Sequence, residues 1–271
     1  MYKFLHSLLI LLLISGVSFA QVDLDLTEYS SVKDLESEFE DFNNGIHAGM
    51  SVLDWTDASG PSVFRFSAGV FFGVGSIEKN EAIGIDDDLY FPGGAGIQLG
   101  FGTAGFEAYG RFLPELEMSG ANVKVLGFGL KYEITDLIPV PAFPATALFA
   151  DYNTMTFGAT ETNSVTVQGV TGDVKTGINL DFSTINIGAM MSYDLVVARI
   201  YGKLGVELGS TDMTWNQAIV TNGVVVPNEI TGTLDSTGFR FAAGLALFGF
   251  KVEVGGRGSN LAAGVGYGIS I

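Results

Sequence analysis

The side chains of this chain that can pair ions, move protons or hold a polar ligand recur at every second position of apolar segments. The cations are Arg65, Arg111, Lys131, Arg199, Lys203, Arg240, Lys251 and Arg257. The acids on the same phase are Glu107, Glu133, Asp151, Glu207 and Glu253, joined by Tyr109, Tyr201, Gln98 and Asn153. Successive side chains of a strand point to opposite faces, so this spacing gathers the whole set on one face of a sheet. Ion pairing is the chemistry such a face supports. Cations outnumber acids on it although the chain as a whole carries a formal net charge of −17. A face of that kind, turned into a lumen, would attract a small anionic or amphipathic molecule.

Other candidate motifs are weaker. Gly100-Phe-Gly-Thr-Ala-Gly105 matches a phosphate-loop pattern but opens a strand, with no helix N-terminus to follow it. Asp86-Asp87-Asp88 lacks the ligand spacing of a calcium loop. Only His47 follows the N-terminal leader, in Asn43-Asn44-Gly45-Ile46-His47, too little for a Ser–His–Asp arrangement. Cysteine is absent, so neither disulfides nor a thiolate metal site enter, and no cofactor is expected. The acidic balance also argues against nucleic acid as a partner. No enzymatic activity is expected.

The alternate phase of the same segments is greasy. Phe239, Phe241, Ala243, Leu245 and Leu247 alternate with Arg240, Ala242, Gly244 and Ala246, and the pattern continues through Phe250 to Ile271. These segments run ~9–11 residues, the length a tilted strand needs to cross a bilayer. The sequence therefore predicts an all-β fold, a transmembrane antiparallel up-and-down β-barrel of about ten strands, within a range of eight to fourteen. The strands are expected at 62–75, 93–102, 104–114, 122–135, 145–159, 177–193, 195–209, 237–247, 248–257 and 259–271. Phe66, Phe128, Leu204 and Phe250 then face lipid. An apolar phase change near Ser183, from Leu180 and Phe182 to Ile185 and Ile187, predicts a bulge. All seven prolines are expected at strand ends or in connections. Segments 76–92, 115–121, 160–176, 210–236 and 258–260 are expected as long or polar outer loops, opposite short turns.

Three regions follow from these features. Residues 1–20 read as a cleaved signal peptide, with Lys3, an apolar run from Leu8 to Ile14, and Ser18-Phe19-Ala20 at the cleavage site. Residues 21–61 are an acidic N-terminal segment in which Val32, Leu35, Phe39 and Phe42 space as a short amphipathic helix behind Ser31. It is either a periplasmic lead-in or a plug drawn into the basic lumen, where the inward Gly264, Gly266 and Gly268 leave room. Residues 43–55 read as an extra strand or a luminal piece. Residues 62–271 form the barrel, monomeric and surrounded by membrane lipid.

The barrel portion resembles a family of uncharacterised outer-membrane β-barrel proteins of Bacteroidota-type Gram-negative bacteria. The resemblance rests on Gly96-Ile-Gln-Leu-Gly-Phe-Gly-Thr-Ala-Gly-Phe-Glu-Ala-Tyr-Gly-Arg-Phe-Leu-Pro114, on Gly127-Phe-Gly-Leu-Lys-Tyr-Glu-Ile134 with Leu137-Ile-Pro139, and on Phe239-Arg-Phe-Ala-Ala-Gly244. It implies a barrel in the outer membrane and no catalytic residues. A looser similarity to long-chain fatty-acid transporter barrels, whose N-terminal segment enters the lumen, implies a narrow or plugged barrel that binds or passes a small molecule. The competing expectation is a structural or adhesive surface protein whose acidic outer segments do the work.

Overall fold

Among the described residues, ten strands close into one antiparallel sheet: β1 (Arg65–Ile77), β2 (Leu89–Thr103), β3 (Phe106–Met118), β4 (Ala121–Glu133), β5 (Ala145–Val167), β6 (Val170–Asp194), β7 (Ala198–Thr221), β8 (Val224–Leu247), β9 (Phe250–Arg257) and β10 (Asn260–Ser270). Each strand pairs with its neighbours in sequence, and β1 pairs with β10 from Ser67–Ser270 to Gly75–Ala262. The barrel is all-β in its wall, up-and-down, and without a free edge at the closing seam. This computed structural model describes residues 32–80, 88–118, 121–138, 140, 143–167, 170–221 and 224–271. The expected signal peptide (residues 1–20), residues 21–31 of the acidic segment, and Asp86 and Asp87 lie outside the described residues.

The wall has two zones of opposite polarity. In the zone nearer the short turns, Phe66, Phe101, Phe128, Leu204, Phe239 and Val252 point outward and are exposed, Phe128 by 58%. Their neighbours Arg111, Lys131, Lys203, Glu207 and Arg240 point inward and are buried. A charge at mid-bilayer on the outer face would cost ~2–4 kcal/mol, so this partition suits a wall bathed in lipid.

No bulge occurs at Ser183. Thr184–Asn153, Ser183–Thr154 and Phe182–Met155 follow without a skip on one side, and Thr184–Gly209, Ser183–Ser210 and Phe182–Thr211 on the other. The pleat is continuous, and what changes is the chemistry of each face. Beyond Ser183, Leu180, Phe182, Met155, Met213 and Trp215 point inward and are buried. Asp181, Asp212 and Asp235 point outward and are exposed. Thr156 Oγ1 donates to Asp181, Thr233 Oγ1 to Asp212 and Ser210 Oγ to Asp235, each at 2.7 Å. An outer face of linked aspartates and hydroxyls belongs in water. The second zone is thus built like a soluble barrel, apolar within and polar without.

Segments 160–176 and 210–236, expected as loops, are instead arms of two long hairpins. β5 and β6 stay paired to Val167–Val170, and β7 and β8 to Thr221–Val224. These strands run 23–25 residues, far beyond the ~9–11 that cross a bilayer. Their Thr- and Val-rich sequences favour strands, and the polarity switch hides the alternation that marks the lipid zone.

The prolines also depart from expectation. Pro92, Pro114 and Pro227 lie inside β2, β3 and β8. The register shifts at Gly73/Val74 opposite Pro92, and again between Leu113 and Leu116, which bracket Pro114. Pairing between β2 and β3 covers only Ile97–Phe112 to Thr103–Phe106. Further along, β2 pairs only with β1 and β3 only with β4, so two strand edges part there. Proline lacks an N–H to leave unpaired, which is why edges accept it.

Inside the barrel runs α1 (Val32–Met50), longer than expected. It touches β1, β2 and β5 to β10, which only a luminal helix can do. Its Phe39, Phe42 and Ile46 pack with Phe91, Met155, Phe182 and Trp215 in the water-facing zone. Asn43-Asn44-Gly45 does not break it, because the lumen buries that face. At Gly45 and Gly49 the helix backbone lies against the strands: a Cβ on Gly75 would sit 1.7 Å from the Gly45 carbonyl oxygen, and one on Gly93 2.4 Å from Gly49.

Candidate functional site: the charged lumen and the segment that occupies it

The chain descends through the lumen from the long-hairpin end to the short-turn end, and each cation of the inward face meets it in turn. Where α1 ends, its last carbonyls lack helical partners and carry the negative end of the helix dipole. Two guanidinium groups take them. Arg111 donates to the carbonyls of Met50 (3.2 Å) and Val52 (2.9 Å), and Arg240 to those of Ala48 (3.2 Å) and Ser51 (2.6 Å). Phe71 lies 4.3 Å beneath the Arg111 guanidinium, a cation–π contact that shields it.

The next level is a buried ionic cluster. Lys203 bridges Asp54 (2.6 Å) and Glu253 (2.9 Å). Arg240 reaches Glu207 at 3.4 Å, which also pairs with Arg257 at 2.9 Å and accepts from Ser51 Oγ at 2.9 Å. Tyr201 donates to Glu253 at 3.1 Å. Asn186 stands between Asp54 and Asp151, 3.4 Å from each, and Asn153 donates to Asp151 at 2.9 Å. Burial opposes ionisation of Asp54, but Lys203, Arg240 and Arg111 outweigh it and hold its carboxyl below the ordinary carboxylate range.

Toward the short-turn end, Asp57 is held by Arg199 (2.6 Å) and Arg65 (3.4 Å). Glu107 pairs with Arg65 (2.7 Å) and Lys131 (2.8 Å). Lys131 also donates to the carbonyls of Asp57 and Ser59, and Glu133 accepts the Gly60 N–H at 2.6 Å. Trp55 lies edge-on to Tyr109, 4.7 Å between centroids. Val52 and Leu53 sit over the glycines of β10: a Cβ on Gly264 would come within 2.1 Å of Val52.

Every sequence-expected lumen residue points inward. Arg65, Arg199 and Glu133 sit half-buried near the short-turn rim, and Lys251 lies apart beside Gly268, reached by none of these ion pairs. Of the acidic run, the described carboxylates Glu40 and Asp41 are exposed, whereas Asp54 and Asp57 enter the network. Asp57 belongs to the polar Thr56-Asp-Ala-Ser-Gly-Pro61 run and Asp54 to the broken apolar stretch before it. The signal for them was the unbalanced charge of the strands, which called for carboxylates from elsewhere in the chain. His47 is buried on α1, 3.0 Å from Thr211 and edge-on to Phe182. Burial, then the nearby Arg257, depress its pKa to about 3, so the ring is neutral.

A model of a family of unknown function (DUF6588) matches residues 80–269, so this chain belongs to that family. No curated protein matches it in sequence. Among solved structures it is similar to the translocator domain of the autotransporter NalP from Neisseria meningitidis (12% identity, 92% of this chain and 99% of that one, TM-score 0.37). It is also similar to Ail, the attachment invasion locus protein of Yersinia pestis, in a complex with the heparin analogue sucrose octasulfate (10% identity, 76% and 99%, TM-score 0.28). The β domain of the Bordetella autotransporter BrkA gives 14% identity over 76% and 99%, with a TM-score of 0.29.

Proposed function

We propose that this member of the family is a monomeric outer-membrane protein, exported by a signal peptide over residues 1–20, that binds a small molecule and conducts no solutes along its axis. It is a binding barrel and not an enzyme. The observation that carries the reading is the occupied lumen: α1 and residues 51–60 lie along the axis, anchored by Arg111, Lys131, Arg199, Lys203 and Arg240. A ten-strand barrel is already well below the ~16–18 strands at which aqueous channels appear. The expected result in a planar lipid bilayer is a flat current trace from the whole protein. Deleting residues 21–55 should convert it to steady ohmic steps, provided the variant still shows heat-modifiable migration in SDS gels. Steady steps from the intact protein would overturn the reading.

A second reading, surface adhesion without transport, is favoured by the projecting β5–β8 sheet with its exposed Asp181, Asp212 and Asp235. Shortening both hairpins while keeping the lipid-facing zone separates the two, since only adhesion requires the tips.

A further inference from the structure

We propose that the parted edges of β2 and β3 form a side entrance through the barrel wall, a binding site for a neutral, apolar small molecule that arrives from the outer leaflet. This rests on the reading of a small-molecule-binding barrel and names its ligand class. A cavity of about 300 Å³ lies at the point where β2 and β3 stop pairing. It is lined on the lipid side by Val70, Phe72 and Ile97 and on the luminal side by Leu113, Val123 and Met155. The same cavity therefore touches both faces of the wall. It is the size of the smaller ligand pockets. No ionisable side chain lines it.

The edges part where the outward Val70, Phe72 and Ile97 give way to the water-facing zone, and backbone groups left without partners beside hydrocarbon are costly unless protein or a cavity covers them. The seam reduces that cost with a proline on each edge, Pro92 and Pro114, and with the register shifts beside them. Met155, at the inner end, belongs to the apolar core that surrounds Phe39 and Phe42 of α1. An apolar guest thus meets no charge between the lipid and the helix, whereas a charged one would have to shed its water with nothing to replace it.

Tritiated naphthalene binding to the whole protein in phospholipid nanodiscs tests this. One saturable site per barrel above protein-free discs is expected, displaced by decane and unaffected by naphthalenesulfonate. Ala95→Trp, in the cavity lining, should weaken binding at least tenfold; Leu116→Trp, at the rim, serves if that variant does not fold. Ala263→Trp, exposed on β10 outside the cavity, should bind as the parent does. Absence of a saturable site, equal binding by a folded wall-filling variant, or displacement by the sulfonate would overturn the proposal. A flat current trace with no naphthalene site sinks this entrance alone, whereas ohmic steps from the intact protein sink the sealed-barrel reading whatever naphthalene does.

Discussion

At the scale of single residues, the lumen shows what an ionic cluster in a barrel is for. Two charges taken from water are not by themselves a source of stability, and replacing such a pair with apolar side chains is often neutral. Removing one partner is different, and costs roughly 3–5 kcal/mol because a charge is left stranded. Asp54 with Lys203, and Asp57 with Arg199, therefore fix where the luminal segment sits more than how stable the wall is. His47 belongs to the same segment and has a testable signature. Its folded pKa of about 3 lies below the ordinary histidine value of 6.5, so protonation favours the undocked state. The contribution of the neutral ring is complete above pH 6.5 and disappears as the pH falls through about 3. In ¹⁵N NMR of the folded protein, the His47 ring should remain neutral at pH 5. Titration with a midpoint near 6.5 would show the ring to be in water.

At the scale of elements, the lipid-facing zone was legible because one physical demand shaped every strand of it. Phe128 alternates with Gly127 and Gly129, and Lys203 with Leu204 and Gly202, so period and direction both read directly from sequence. The hairpin arms were not legible, since Leu180 and Phe182 turn inward where Ile185 and Ile187 turn outward, and the switch imitates a slipped strand. Helix α1 was half legible: Val32 to Phe42 space correctly, but Asn43-Asn44-Gly45 carries no helical preference, and only the burial of its lumen-facing side continues it. That burial depends on glycine in β1. Gly75→Val would drive a side chain into the Gly45 carbonyl, and overpacking of this kind costs about 1–3 kcal/mol. The wall should still close, while α1 is displaced and residues 32–50 become sensitive to elastase. Protection equal to that of the parent would show that the close approach of α1 to β1 is not what seats the helix.

At the scale of the whole molecule, one continuous sheet changes solvent along its length. Below Ser183 it has an apolar outer face around an ionic lumen, and above it a polar outer face around an apolar core, with α1 joining the two interiors. That inversion accounts for a chain that is 47% hydrophobic and carries −17 formal charge, because the two kinds of residue exchange faces at one level. It also places the parted β2–β3 seam where a lipid-borne molecule could reach the apolar core. The chain has no cysteine, so single nitroxide labels can be placed without background. Ile187→Cys and Asp181→Cys put labels six residues apart on the same outward face of β6, on either side of Ser183. In reconstituted vesicles the label at 187 should collide mainly with molecular oxygen, and the label at 181 mainly with a water-soluble nickel chelate. Equal access of the nickel chelate to both labels would contradict a lipid boundary at Ser183, and with it the two-zone barrel.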